Sequence, residues 1–213
     1  FPATLDPRVD AEFTPVPVST ASTTPGGFDP TIAWNGSSYL VAWRTFYGIG
    51  DEIFVARVRA DGTPLDPTGV QIGASVQSTY GLSVAGANGG FLVAWAEPLQ
   101  ADSIFTANLS AVLVSGAGER VVLPKYATFG DQLDANALTV ASNGAGYFVT
   151  WCEGTGTAST TSGLLLGLDG SVVARVPEFL SERAELGPPF VRAVGSEYGV
   201  VVTRRMPSGT NAE

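Results

Sequence analysis

Glu97 and Glu153 each stand two residues after a tryptophan, in Val-Ala-Trp-Ala-Glu and Val-Thr-Trp-Cys-Glu. If the two phrases fold alike and lie side by side, the carboxylates approach each other. Paired carboxylates, one protonated and one ionised, are what glycoside hydrolysis requires. The competing reading makes them solvated loop ends of an acidic chain. Asp51, Asp102 and Asp29 would add acids at the same rim. Arg44, Arg204 and Arg205 either gather as a cationic patch for a carboxylate ligand or partner those neighbouring acids. Phe46 and Tyr47 sit in a Gly-rich loop, where rings stack on sugar faces or anchor a protein partner. The expected ligand-binding set is therefore Arg44, Phe46, Tyr47, Asp51, Glu97, Asp102, Glu153 and Arg204.

Much other chemistry is excluded. The chain has no histidine, which removes the commonest general base and metal ligand and every Ser-His or Cys-His pair. Its one cysteine, Cys152, follows Trp151 in an apolar run and reads as a small buried hydrophobe. No calcium-loop spacing occurs, and Asp131 with Asp134 are too few ligands for a metal. No metal or cofactor is expected. Twenty acids against eleven bases, a net charge of −9, argue against nucleic acid and anionic membrane as partners. No apolar run reaches the roughly 18 residues of a membrane span. Ten of the eleven bases are arginine, which points to high-GC coding and a bacterial source. Abundant Gly, Ser and Thr with one lysine, and a first residue Phe1 in place of methionine, fit an exported or processed product.

The elements that must position these residues come as a repeat. Thr31–Arg44, TIAWNGSSYLVAWR, returns as LSVAGANGGFLVAWA, as LTVASNGAGYFVTWC and, worn, as FVRAVGSEYGVVVT. Trp43 and Trp95 are 52 residues apart, and Trp95 and Trp151 are 56 apart. Asp61-Gly62 follows Trp43, and Asp169-Gly170 follows Trp151, at the same interval of 18. Two anchors at one interval mark a genuine repeat. Each unit reads as a strand, an Asn-Gly-type turn, a second strand, a variable loop, a third strand and an outer fourth. The one helix expected is a short one in PEFLSERAEL, from Pro177 to Leu186, bounded by prolines.

In Tyr39–Trp43 both alternating sets of side chains are apolar, and the same holds for Phe91–Trp95 and Tyr147–Trp151. A strand apolar on both faces needs cover on both. With almost no helix, other sheets must supply it, and four-stranded sheets stacked around an axis do so. Small residues in the first strands, such as Ala33, Ser83, Ala141 and Ala193, suit the innermost position. Trp34 is expected in core or turn packing.

The fold expected is all-β, a β-propeller of four-stranded repeats in one domain over 1–213. It comprises an N-terminal segment (1–27), repeats at 28–78, 79–130 and 131–188, and a partial fourth at 189–213. Leu5-Asp6-Pro7 matches Leu65-Asp66-Pro67, so Glu12–Val18 is either an outer strand that pairs into the last blade and closes the ring, with one strand of that blade still missing, or a linker. If it does not close the ring, a second polypeptide segment is expected to complete that blade. A β-sandwich is the weaker alternative, because its outer faces should be polar.

The phrase AWNGSSYLVAW, followed by ARVRADGTPLDPTGVQI, resembles the tandem repeat of a β-propeller-like family of predicted secreted bacterial proteins. More distantly the repeat resembles the neuraminidase type, although the S-x-D-x-G-x-T-W box of that type is absent here. The resemblance implies a propeller and a secreted or cell-surface protein, and it transfers no catalytic residue. The function expected is non-enzymatic: a binding or scaffold protein presenting a loop face to a protein or glycan. The alternatives are the carboxylate-pair hydrolase or lyase and a processed fragment of a larger propeller protein.

Overall fold

A computed structural model describes residues 27–46, 50–75, 78–98, 107–128, 138–155, 158–182 and 185–205. They form fifteen strands and, among the described residues, no helix. The chain is all-β, as its alternation requires.

The first sheet runs β1 (Gly27–Trp34), β2 (Ser38–Phe46), β3 (Asp51–Arg59) and β4 (Val70–Ser75), in sequence order. The second holds β5 (Tyr80–Ala87), β6 (Gly90–Pro98), β7 (Ala107–Ser115) and β8 (Arg120–Val122), with β9 (Tyr126–Thr128) also on β7. The third is β10 (Thr139–Ser142), β11 (Gly146–Thr155), β12 (Ala158–Gly167) and β13 (Val172–Glu182). β14 (Glu185–Val194) and β15 (Glu197–Arg205) make a two-stranded fourth. All named pairings are antiparallel. The suggested outer strand Glu12–Val18 lies outside the described residues.

The first hairpin of each sheet turns on a glycine with positive φ: Gly36 at 98°, Gly89 at 85°, Gly144 at 87° and Gly195 at 62°. That backbone is open to glycine and costly for residues with a Cβ, so glycine at one repeat position sets all four hairpins. Consecutive turns are also tied together. Gly89 N donates to Asn35 O (3.2 Å), the Asn88 side-chain amide donates to Gly144 O, and Asn143 Nδ2 donates to Ser196 O (2.9 Å).

The sheets stack front to rear, in the same sense each time. Ala33, Leu40, Ala42 and Ile53 on the front of sheet one meet Val84, Phe91, Val93 and Trp95 on the rear of sheet two. Ala85, Leu92 and Ala94 on the front of sheet two meet Val140, Tyr147, Val149 and Trp151 of sheet three. Ala141 and Phe148 on the front of sheet three meet Val191, Tyr198 and Val200 of sheet four. Each such buried Leu, Val or Phe contributes about 1.5–3 kcal/mol. The first strands neighbour one another in the order β1, β5, β10, β14. Their small residues permit this: a Cβ on Gly86 would lie 2.1 Å from Trp34 O.

One expectation is corrected and one is narrowed. The described part of the region read as a helix is strand, the end of β13 to Glu182 and the start of β14 from Glu185. Pro177 falls where the β12–β13 register jumps from Gly163↔Val176 to Thr161↔Leu180, so its missing N–H sits in a bulge of an edge strand. Pairing along β12 overrides the local helix signals. Of the two placements given for Trp34 the core is ruled out: it is 42% exposed on the rear of sheet one beside the first turn, its ring 4.6 Å from that of Tyr39.

Candidate functional site

The residues singled out for chemistry gather where second strands end and third strands begin. There the strands run further than expected. At both ends of the supposed loop from Thr45 to Glu52 the ladder continues, with Thr45 opposite Glu52 and Phe46 opposite Asp51. Asp51, expected as a loop acid, is only 2% exposed. Its Oδ2 accepts from Arg44 Nη1 (2.9 Å), Thr79 N (2.6 Å) and Thr79 Oγ1 (3.1 Å). Arg44 also donates through Nη1 to Thr79 O (2.7 Å) and through Nε to Asp29 Oδ2 (2.8 Å).

A carboxylate loses several kcal/mol of hydration on burial, and three donors, one of them a guanidinium, replace it. The set ties sheet one to Thr79, just before β5. Arg44 thus partners the neighbouring acids Asp29 and Asp51, the second of the two readings given for it, and Asp51 Oδ2 is held by Arg44 and Thr79.

Glu97 ends β6 opposite Asn108. Its Oε2 accepts from Ser110 Oγ (2.7 Å) and pairs with Lys125 Nζ (2.9 Å). The ammonium is more than half exposed, so the pair is a modest Coulombic contribution and the hydroxyl fixes the geometry. Glu153 has the equivalent place on β11, opposite Thr160, and Arg204 the equivalent place on β15, opposite Leu186. The backbone thus puts Glu97 and Glu153 at one end of adjacent sheets; the side chains of Glu153 and Arg204 lie outside the described set. Phe46 is 48% exposed at the tip of β2. Tyr47 and Asp102 lie outside the described residues. Among the described residues no group of three or more His, Cys, Asp or Glu is placed to hold a metal ion.

A further charged pair escaped the sequence reading. Arg57 Nε and Nη2 donate to Asp66 Oδ2 and Oδ1, each at 2.8 Å, and Arg57 Nη1 donates to Gly116 O across to sheet two (2.8 Å). Hydrogen bonding from Arg57 holds the Asp66 carboxyl below its ordinary range, and the Asp66 bond raises Arg57 in turn. This explains the Leu-Asp-Pro phrase: its aspartate locks an arginine of the preceding strand and steadies the outer turn. The available signal was Arg57 followed nine residues later by Asp66.

No family model matches the chain, and no curated protein does. Among solved structures it resembles a subtype N11 neuraminidase-like protein of A/flat-faced bat/Peru/033/2010 (H18N11), a β-propeller neighbour, at TM-score 0.51 and 10% identity. The match covers 81% of this chain, which spans 44% of that one. At that identity the likeness is one of fold: antiparallel sheets arrayed as in a neuraminidase-like protein.

Proposed function

We propose that the protein is a non-enzymatic binding or scaffold module built on a β-propeller-type array. It would present the rim where second strands meet third strands to a protein or glycan. The observation that carries this reading is the state of Glu97, already held by Ser110 and Lys125. Both contacts fall on Oε2 and fix the carboxylate at the strand end, as a brace needs. Phe46, exposed at the same rim, is the residue best placed to meet a ligand. Secretion or cell-surface display accords with the composition and remains part of the proposal. So does a further polypeptide segment along β15, which has β14 as its one described neighbour in the sheet.

A glycan and protein array probed with the folded chain tests the reading. Phe46→Ala should lower binding of any captured ligand while leaving the thermal transition in place. A ligand whose binding ignores every substitution at this rim would place the site elsewhere.

A further inference from the structure

Among the described residues no sheet lies on the rear of sheet one or the front of sheet four; on that rear Trp43, Thr45 and Ala56 are buried, and the exposed part is the corner at the first hairpin. On the rear of sheet one, Ile32 is 61% exposed and stands beside Trp34 and Tyr39. On the front of sheet four, Phe190 is 58% and Val201 65% exposed, with Val194 nearby. In register, Ile32 holds the place that Val84 holds on sheet two, and Val201 the place that Ala42 holds on sheet one. Val84 and Ala42 lie in one core cluster, at the interface of sheets one and two.

From this we infer that the two free faces are the halves of one interface, closed by a second copy of this chain. Sheet four of one copy covers sheet one of the next, head to tail. Three interfaces inside the chain define what a rear face receives, namely the front face of a like sheet, and sheet four offers one. Among the described residues the two ends make no extensive contact within one molecule: β14 packs against β10, β11 and β12, and nothing comparable joins it to β1. Two such faces on separate sheets, apolar at Ile32 and Trp34 on one and at Phe190 and Val201 on the other, where Arg192 and Glu197 also stand, form a heterologous contact, which closes into a ring if the rotation allows. The inference uses only the stacking and stands apart from the proposed ligand rim.

The test is sedimentation velocity and native mass spectrometry on the full chain. The wild type should self-associate, and Ile32→Glu or Val201→Glu should each weaken association by about tenfold or more. A cysteine pair gives the same answer without a buried charge: copies carrying Ile32→Cys and copies carrying Val201→Cys should cross-link in the mixture, and neither alone. A wild type that stays monomeric at its solubility limit overturns the inference. So does self-cross-linking of Ile32→Cys, which would mean a rear-to-rear contact, or co-purification with an unrelated protein seated on these faces.

Discussion

A Cβ built on Gly73 would lie 2.7 Å from Cζ2 of Trp95. The outer strand of sheet one thus lacks a side chain where the indole of sheet two rests. Trp95 is buried, and its flat ring cannot retreat from an added methyl as a flexible chain would. Gly73→Ala should therefore destabilise by about 1–3 kcal/mol through overpacking, read as a lowered Tm. Gly199→Ala, where an added Cβ meets only ordinary contacts at 3.8 Å and beyond, is the control and should leave Tm near its starting value.

Asp51 gives a second prediction. Removing its carboxylate takes the acceptor from the amide of Thr79 and leaves Arg44 Nη1 with Thr79 O at the junction of the first two sheets. Asp51→Ala should cost on the order of 3 kcal/mol, measured by denaturant unfolding. A cost near zero would mean that water or a neighbour replaces the carboxylate, and that the junction does not need it.

Acid stability should carry the mark of Asp66. Its folded pKa is depressed by Arg57, so it binds its proton more weakly folded than unfolded. The stabilisation is complete above the unfolded carboxylate value and is lost as pH falls through the lower folded one. Asp66→Asn should lower Tm at neutral pH and flatten its decline in acid. An unchanged slope of Tm against pH would remove Asp66 from the account.

The alkaline side belongs to Tyr147, whose hydroxyl is pushed up to about 12 by burial and, secondarily, by Tyr198. A phenol raised above its unfolded value contributes stability that is full below the unfolded pKa and is lost as pH rises through the folded one. Absorbance titration should show Tyr147 ionising after the exposed tyrosines, and Tyr147→Phe should remove that late step.

The parts of this fold legible in the sequence were those carried by short-range period. Alternation in Tyr39–Trp43 and its copies predicts sheets covered on both faces, and Leu92 and Val93 do face opposite neighbours. The Asn-Gly phrases predict hairpins, and Gly36 and Gly89 have the required positive φ. What escaped was set by distant partners. Asp51 reads as a loop acid because Thr79, which buries it, is 28 residues away. Pro177 reads as a helix start because the bulge that accommodates it is a property of the pairing with β12. Trp34 reads as core or turn, and the choice falls to the turn because sheet one has no described sheet behind it.

The most direct test of the functional reading is Glu97→Gln, assayed for glycan cleavage and for thermal stability side by side. If Glu97 is a brace, the wild type has no glycan cleavage to lose and the variant melts at a lower temperature, by the loss of the Lys125 pair and part of the Ser110 bond. A wild type that cleaves a glycan, with that activity abolished in a variant of unchanged Tm, would contradict the account and make Glu97 a catalytic carboxylate.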